Sequence, residues 1–279
     1  MNLNDPELKS AFQIGMGTEH SADILEVLVQ MLRPTQLLEI GAGYTTLSIL
    51  SGLASARDEQ SRDSEIVKGN VLNAERQSLI KPGAAWNTYS PHLTVFENFS
   101  VQPSSADKVA SLAKKKGWES MLTFINADFF SDSYASLASL PAPLDFVWLD
   151  AGNPIEDIQF INTIAPHLAD DSWIVMHEPF ICLPVQLSDG SQAIHDVPTP
   201  VVNELLRRSS IGDGETQVEF VIVPESHKVR QAGLLIVHRR TSNYTINPTF
   251  DSLAAEVDEL ERVLNLQISG AESRQLRLW

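Results

Sequence analysis

Apolar residues recur along the chain with two alternating periods, one typical of helices and one typical of buried strands. From Ser21 to Met31 they fall on one helical face, and Pro34 ends this pattern before a short apolar run. Because such segments alternate, the pattern predicts an α/β fold with a mainly parallel sheet. The predicted helices are Ser21–Met31, Tyr44–Leu53, Ser105–Lys116 and Ile155–Leu168, and the predicted strands are Gln36–Ile40, Leu93–Phe96, Leu122–Ile125, Leu144–Leu149 and Ser172–Met176.

Two further strands are predicted late in the chain, at Val218–Val223 and Gly233–His238. Too few residues separate them for a helical crossover, so they should form an antiparallel pair. They complete a Rossmann-like, mostly parallel seven-stranded sheet with helices on both faces, and residues 1–240 hold this whole domain. Within it, the polar residues 54–92 predict an insertion, and the proline-rich residues 179–200 predict a lid-like loop over the strand ends.

Residues 241–279 are predicted to form a C-terminal helical appendage. Its amphipathic segment, residues 251–266, repeats apolar side chains at helical spacing. Two heptads are too few for a free-standing coiled coil. The helix should therefore dock on its own domain, and docking on a second subunit, which would make a homodimer, stays open.

Composition narrows the classes of partner and the compartment. The chain has 36 acidic and 20 basic residues and a formal net charge of −16, which argues against nucleic-acid binding. A single cysteine, Cys182, excludes an internal disulfide and a multi-cysteine metal site. The first residues lack the pattern of a signal peptide, and no apolar run is long enough for a membrane span. These features predict a cytoplasmic protein that binds neither nucleic acid nor membranes.

The sharpest local motif is the run from Glu39 to Thr46, which joins the first strand to the next helix. It contains Gly41 and Gly43, so backbone can approach a ligand and helix N–H groups can point at it. Dinucleotide-binding proteins place a third glycine three positions after the second, where this chain has Thr46. The motif therefore disfavours a nicotinamide cofactor.

Acidic residues follow three later strands of the predicted sheet. Glu97 ends the second strand, where a carboxylate can accept hydrogen bonds from ribose hydroxyls. Asp128 follows the third strand, in reach of an adenine amino group, and Phe129 beside it could lie against the ring. Asp150 follows the fourth. Ligands of open α/β sheets bind at the carboxyl ends of the strands, so these acids predict a nucleoside site.

With these residues in place, the sequence resembles class I S-adenosylmethionine-dependent methyltransferases over roughly residues 15–240. The resemblance is closest to a bacterial group found around natural-product pathways, through residues 17–21, 89–93 and 227–231. It implies S-adenosylmethionine as cofactor, with S-adenosylhomocysteine or methylthioadenosine as product. The implied cofactor-binding residues are Glu39, Gly41, Ala42, Gly43, Tyr44, Thr45, Glu97, Asn98, Asp128, Phe129, Asp150 and Ala151.

Catalysis should depend on the ends of the fourth and fifth strands. Asp150, His177 and Glu178 are the candidate catalytic residues, because a base is needed when the nucleophile carries a proton. The catechol-type branch of this superfamily holds a metal with acids and an amide at these ends. Here the second position is His-Glu, so no metal site is predicted. The candidate substrate-binding residues are His20, Trp86, Tyr89 and Phe180.

Three functions stay open from the sequence. The first is methyl transfer to nitrogen or oxygen of a small metabolite, in secondary metabolism. The second uses the aminocarboxypropyl arm of the same cofactor, for example in cyclisation to azetidine-2-carboxylate with release of methylthioadenosine. The third is a non-catalytic cofactor-binding partner protein, because a fold can persist when its chemistry is lost.

Overall fold

A seven-stranded sheet lies at the centre of the described part of the chain. The computed structural model describes residues 5–12, 17–69, 79–81, 87–100, 104–129, 143–150, 156–211, 218–225, 227–228 and 233–240. All of them belong to one unit, residues 1–241. The predicted appendage, residues 241–279, and its helix at 251–266 lie outside the described residues.

The predicted mostly parallel seven-stranded sheet with an antiparallel C-terminal strand pair is confirmed. Its strands are β1 (Gln36–Ile40), β2 (His92–Glu97), β3 (Leu122–Asn126), β4 (Leu144–Leu149), β5 (Leu168–His177), β8 (Val218–Val223) and β9 (Leu234–Arg240). Their order across the sheet is β3-β2-β1-β4-β5-β9-β8. β1 to β5 run parallel, and β9 is antiparallel to both β5 and β8.

Helices pack on both faces of the sheet. Alternate residues of β1 point to opposite faces, so that Leu38 joins one buried cluster and Leu37 joins another. No helix among the described ranges is long and apolar enough to cross a membrane. The helices are α1 (Pro6–Lys9), α2 (Glu19–Leu32), α3 (Tyr44–Val67), α4 (Ala106–Lys115), α5 (Glu156–Ile164) and α6 (Pro200–Ile211).

Helix α3 is longer than predicted and takes up the first part of the expected insertion. The predicted helix stops at Leu53, whereas α3 continues to Val67. Polar residues of this extension are buried, because Gln60 accepts a hydrogen bond from Arg33 at 2.7 Å and Asp63 pairs with the same guanidinium at 3.3 Å. Because polar residues follow Leu53, the sequence prediction ended this helix too early.

Gly52 lets α2 and α3 pack closely. A Cβ atom at this position would lie 2.6 Å from the carbonyl oxygen of Glu26, which is far inside contact distance. Dinucleotide folds use the third glycine of their motif for close helix packing. Here Thr46 occupies that position, and Gly52 serves a close contact between two helices.

The predicted lid-like loop at 179–200 is instead a hairpin, which corrects the sequence interpretation. β6 (Phe180–Gln186) pairs antiparallel with β7 (Gln192–Pro198). Prolines suggested a loop, but a two-stranded ribbon has only edge strands, and edges tolerate residues that lack an N–H donor. Pro200 then begins α6, since proline suits the first position of a helix.

The end of the predicted helix Ile155–Leu168 also differs. Helix α5 stops at Ile164, a short 3-10 turn covers Ala165–His167, and β5 already begins at Leu168. The extra length lets β5 pair with all of β9, from Asp171 to His177.

Candidate functional site

The turn between β1 and α3 has the backbone freedom that its glycines predict. Gly41 has φ of 91°, a left-handed conformation that favours glycine, and its N–H donates to Phe96 O at 2.9 Å. Gly43 is extended, and a Cβ atom there would meet only Thr45 Oγ1, at 3.9 Å. The protein itself therefore does not require glycine at position 43, and the free space on this side suits a ligand.

Glu97 connects the end of β2 to this turn. Its Oε2 accepts a hydrogen bond from the Ala42 N–H at 2.8 Å, and its Oε1 accepts one from Ser104 Oγ at 2.6 Å. Both bonds fix the carboxylate beside the glycine turn. Its predicted role, binding of ribose hydroxyls, needs such a position and stays a prediction.

Glu39 is a buried carboxyl group directly beneath the turn. The residue is 0% exposed, and its Oε1 accepts from Thr45 Oγ1 at 2.8 Å. Its Oε2 has no hydrogen-bond partner among the described residues. Burial, with smaller contributions from the charges of Asp150 and Glu97, raises the pKa of Glu39 to about 8. The side chain is therefore mostly neutral at pH 7, and one of its oxygens is unused.

Asp150 and His177 form a pair across the ends of β4 and β5. The His177 Nδ1 lies 2.9 Å from Asp150 Oδ1. The side chain of His177 is 3% exposed and that of Asp150 is 26% exposed, so the carboxylate lies nearer to solvent than the imidazole does. Burial lowers the pKa of His177, but the hydrogen bond and charge of Asp150 outweigh it, and the net shift is upward. The upward shift favours the protonated imidazole, which can donate a hydrogen bond through Nδ1 to Asp150.

A cavity of about 130 Å³ opens where these elements meet. Its wall includes every residue of the turn from Gly41 to Thr45, Tyr44 among them. Asp150 contributes from β4, Thr18 from the start of α2, and Ser105 from the start of α4. The cavity therefore lies at the carboxyl ends of the parallel strands, where the sequence predicts the cofactor.

Glu178 follows His177 with an unusual backbone. It has φ of 57°, and its N–H donates to Gly233 O at 3.3 Å. Burial and then the charge of Glu178 raise the pKa of Asp157, on α5, to about 7. Among the described residues, Asp150, His177 and Glu178 do not bring three ligand atoms within 4.8 Å of one another. The His-Glu pair thus does not reproduce a three-ligand metal site.

On the adenine side, the structure places the predicted residues unequally. Asp128 is exposed, as a ligand contact requires. Phe129 is 5% exposed and packs in the core, with its ring centroid 5.3 Å from that of Phe96. Asn98 accepts two hydrogen bonds from Ser100, at 3.0 and 2.5 Å. The adenine roles stay predictions, and Ala151 lies outside the described residues.

The three candidate substrate residues that the structure describes, His20, Tyr89 and Phe180, do not form one cluster. The Tyr89 hydroxyl donates to Pro34 O at 2.8 Å, and both residues precede strands, at the amino end of the sheet. This corrects the sequence prediction, because the amino ends of parallel strands lie opposite the cavity. Phe180 begins β6 just after β5, and His20 lies in the first turn of α2. Trp86 lies outside the described residues.

Sequence reasoning missed two serines that complete the site. Ser104 holds the Glu97 carboxylate, and Ser105 lines the cavity. A serine before a helix is ordinarily interpreted as a cap, and Ser104 does accept a hydrogen bond from the Ala106 N–H at 3.2 Å. Its second bond, to the Glu97 carboxylate seven residues earlier, is not indicated by the local pattern.

Comparisons with known proteins bear on the family and the fold of the chain. A family model described as a methyltransferase domain matches residues 38–178, from β1 to the end of β5. The structure is similar to an O-methyltransferase from Bacillus cereus in complex with SAH, with a TM-score of 0.51 and 15% identity over 85% of this chain and 92% of that chain. It is also similar to the O-methyltransferase TomG from Streptomyces achromogenes, involved in tomaymycin synthesis and in complex with SAM, with a TM-score of 0.48 and 14% identity over 85% of this chain and 91% of that chain. No curated protein matches the sequence.

Proposed function

The chain belongs to the methyltransferase-domain family, and we propose that it transfers a methyl group from S-adenosylmethionine to an oxygen or nitrogen atom of a small metabolite. The family match confirms the predicted resemblance to class I enzymes of this type. One observation carries the proposal. A single cavity is lined by the glycine turn of β1 and by Asp150 at the end of β4, and Glu97 is hydrogen-bonded to that turn.

The residues present fit the cofactor. Space beside Gly43 is open, and Glu39 Oε2 is a buried acceptor without a described partner. S-adenosylmethionine supplies a methyl group on a positively charged sulfur atom. Acidic groups at the ends of β2 and β4, Glu97 and Asp150, favour a bound cation over a neutral molecule. Glu97 would hold the ribose, and the backbone of the turn would hold the amino-acid part.

The chain's own contribution to the reaction is alignment and a proton acceptor. Holding a nucleophile in line with an activated carbon supplies much of the rate. Asp150 reaches the cavity wall, so its carboxylate can accept the proton of an acceptor hydroxyl or ammonium group. His177 lies behind it and fixes its orientation through the 2.9 Å contact. His177 is thus a positioning residue, and Asp150 is the group that meets the substrate.

The compartment, the partner and the pathway belong to the same proposal. We infer a cytoplasmic enzyme that acts on small molecules and does not bind nucleic acid or membranes, supported by the net charge of −16. A homodimer stays open. Secondary metabolism is proposed from the three sequence segments that resemble the natural-product group.

The test is incubation with S-adenosylmethionine alone and then with candidate acceptors, with the nucleoside product identified by mass spectrometry. We expect S-adenosylhomocysteine to form only when an acceptor is present, and Asp150→Asn to abolish most of it. Methylthioadenosine as the product would contradict methyl transfer and support use of the aminocarboxypropyl arm. Cofactor binding without any product across acceptor classes would favour a non-catalytic partner protein.

A further inference from the structure

Two sequence segments that the proposed reaction does not use meet on the surface of the protein. The first is the start of α2, with Glu19 and His20, and the second is the connection between β8 and β9, with Glu225, His227 and Lys228. His20 Nδ1 contacts Glu225 Oε1, although 205 positions separate these residues in the sequence. The fold therefore brings two imidazoles and a carboxylate together from opposite ends of the domain.

The three side chains present their ligand atoms to one point. One ligand atom from each of His20, Glu225 and His227 lies within 4.8 Å of the other two. The His227 Nε2 is 3.6 Å from Glu225 Oε1, and the two imidazole rings are 5.6 Å apart between centroids. Both histidine side chains are more than half exposed, at 58% and 63%, so an ion can reach them from solvent. Glu225 is 12% exposed and forms the base of the cluster.

Lys228 holds this carboxylate in place from the other side. Its Nζ lies 2.9 Å from Glu225 Oε1, 2.8 Å from Glu19 Oε1 and 2.9 Å from the carbonyl oxygen of Gly17. The two carboxylates carry two negative charges against one positive charge on Lys228. A net negative charge therefore remains when the histidines are neutral. Partners that hydrogen-bond a ligating group fix its orientation in metal sites, and Lys228 has that position here.

We propose that His20, Glu225 and His227 bind a divalent metal ion of the zinc class. Two imidazoles and one carboxylate suit Zn²⁺, Co²⁺ or Ni²⁺ and do not suit Mg²⁺, which prefers oxygen ligands alone. The ion takes the place of the proton between His20 Nδ1 and Glu225, and the neutral imidazole of His20 then carries its proton on Nε2. Three protein ligands leave a fourth tetrahedral position open to water or another oxygen ligand.

The proposed metal site is close in sequence to a residue of the cavity wall. Thr18, which lies two residues before His20 and contributes to the cavity wall, joins the two sites along the chain. The site uses none of the residues assigned to the methyl-transfer step, so metal binding and methyl transfer can fail independently. The sequence predicted a substrate contact for His20, and the open metal position is where such a contact would form.

The experiment is a titration of the full, chelator-treated protein with Zn²⁺ by calorimetry and with Co²⁺ by visible absorption. We expect one equivalent to bind, with the absorption of low-coordinate cobalt. His20→Ala and His227→Ala should each weaken binding at least about tenfold, since even outer partners of a metal ligand cost that much. His195→Ala, a matched exposed histidine in β7, should bind like the wild type, and Asp150→Asn should as well.

Thermal melts of the metal-free variants check that each is folded. Absence of saturable binding in the wild type would overturn the proposal and would leave Lys228 as the counter-ion of Glu225. Equal loss of affinity in His195→Ala would also overturn it, because binding would then be distributed over surface histidines. Loss of methyl transfer with metal binding retained would contradict only the proposed function.

Discussion

Strand β4 has an aspartate at each end, and the two have opposite surroundings. Asp145, at the amino end, accepts hydrogen bonds from the Thr35 N–H at 2.7 Å, the Thr35 hydroxyl at 2.8 Å and the Gln36 N–H at 2.9 Å. Asp150, just past the carboxyl end, bonds to His177 and otherwise faces the cavity. The first carboxylate is satisfied by the protein, whereas the second has acceptor capacity left for a ligand.

The same asymmetry extends to the buried polar atoms of the sheet. Among the described residues, four buried side-chain atoms have no hydrogen-bond partner, and three of them are Glu39 Oε2, Trp148 Nε1 and His177 Nε2. These three belong to the neighbouring strands β1, β4 and β5, toward their carboxyl ends. Buried unsatisfied groups are costly, so their concentration at one end marks the place where function opposes stability.

The largest expected effect separates the two aspartates directly. Asp150→Asn should lower kcat by roughly 10²–10⁴-fold, the usual size of a general-base contribution, with little change in the free energy of unfolding. Asp145→Ala should leave kcat unchanged and destabilise the protein by about 1.5–3 kcal/mol, because it removes hydrogen bonds to a charged acceptor. Steady-state kinetics and urea unfolding measure both. Equal kcat losses in the two variants would erase the contrast between the ends of β4.

A smaller effect is expected at the end of β2. Glu97→Ala should weaken S-adenosylmethionine binding by about 1.5–3 kcal/mol, the order of a hydrogen bond to a charged group. Calorimetry measures this affinity, and NAD should show no useful binding in the same experiment. Glu219→Ala on β8 is the matched control and should bind like the wild type. Unchanged affinity in Glu97→Ala would remove this residue from the cofactor site.

Two glycines extend the comparison to the backbone. Gly43→Ala should keep its stability, because a Cβ there meets only an atom 3.9 Å away, and should weaken cofactor binding at least about tenfold. Gly52→Ala should show the reverse, with destabilisation of about 1–3 kcal/mol from overpacking and no direct effect on affinity. The sequence also favours Gly41→Val as a probe of binding in a folded protein. Since Gly41 has φ of 91°, that variant is strained whatever it binds, and Gly43 is the cleaner site.

The smallest effect concerns the pH dependence of stability. Burial raises the pKa of Glu39 from 4.5 to about 8 in the folded protein. The unfolded chain loses this proton first, so wild-type stability falls as pH rises from about 4.5 toward 8. Glu39→Gln lacks this titration, and its Tm should rise relative to the wild type between these pH values, by about 2–4 °C per kcal/mol. Parallel Tm curves for the two proteins would show that Glu39 is charged when folded.

Much of the fold follows from the sequence because buried parallel strands are continuous apolar runs. Leu144–Leu149 is predicted and observed with the same bounds, since a strand buried on both faces has no other pattern. The predictions for the end of α3 and for residues 179–200 were wrong, because the polar residues of the first and the prolines of the second are both typical of loops. Gln60 shows the reason in α3, since its side chain bonds to Arg33 and to the carbonyl oxygen of Asn87, each 27 positions away in the sequence.

The sequence predicted which residues lie at the strand ends of the site, but it did not predict which side chains contact one another there. Placing Glu39 and Asp150 at strand ends required only the rule that ligands bind at the carboxyl edge. The prediction for Tyr89 was wrong because it considered only the aromatic side chain. A residue just before a parallel strand lies at the amino edge of the sheet, and the cavity lies at the opposite edge. The pair of Asp150 with His177 depends on β4 and β5 being neighbours with equal ends, which no local pattern states.

The strand order also sets when the cofactor can first act during folding. β1 pairs with β2 on one side and with β4 on the other. The cavity is therefore complete only after parts of the chain that are distant in sequence have paired. Such non-local pairing is slow, because chain entropy is lost before the contacts form. A ligand that recognises only the finished edge stabilises it by about 2.7 kcal/mol at a hundredfold excess over Kd. Cells rich in the cofactor would therefore hold more of this chain in its folded form.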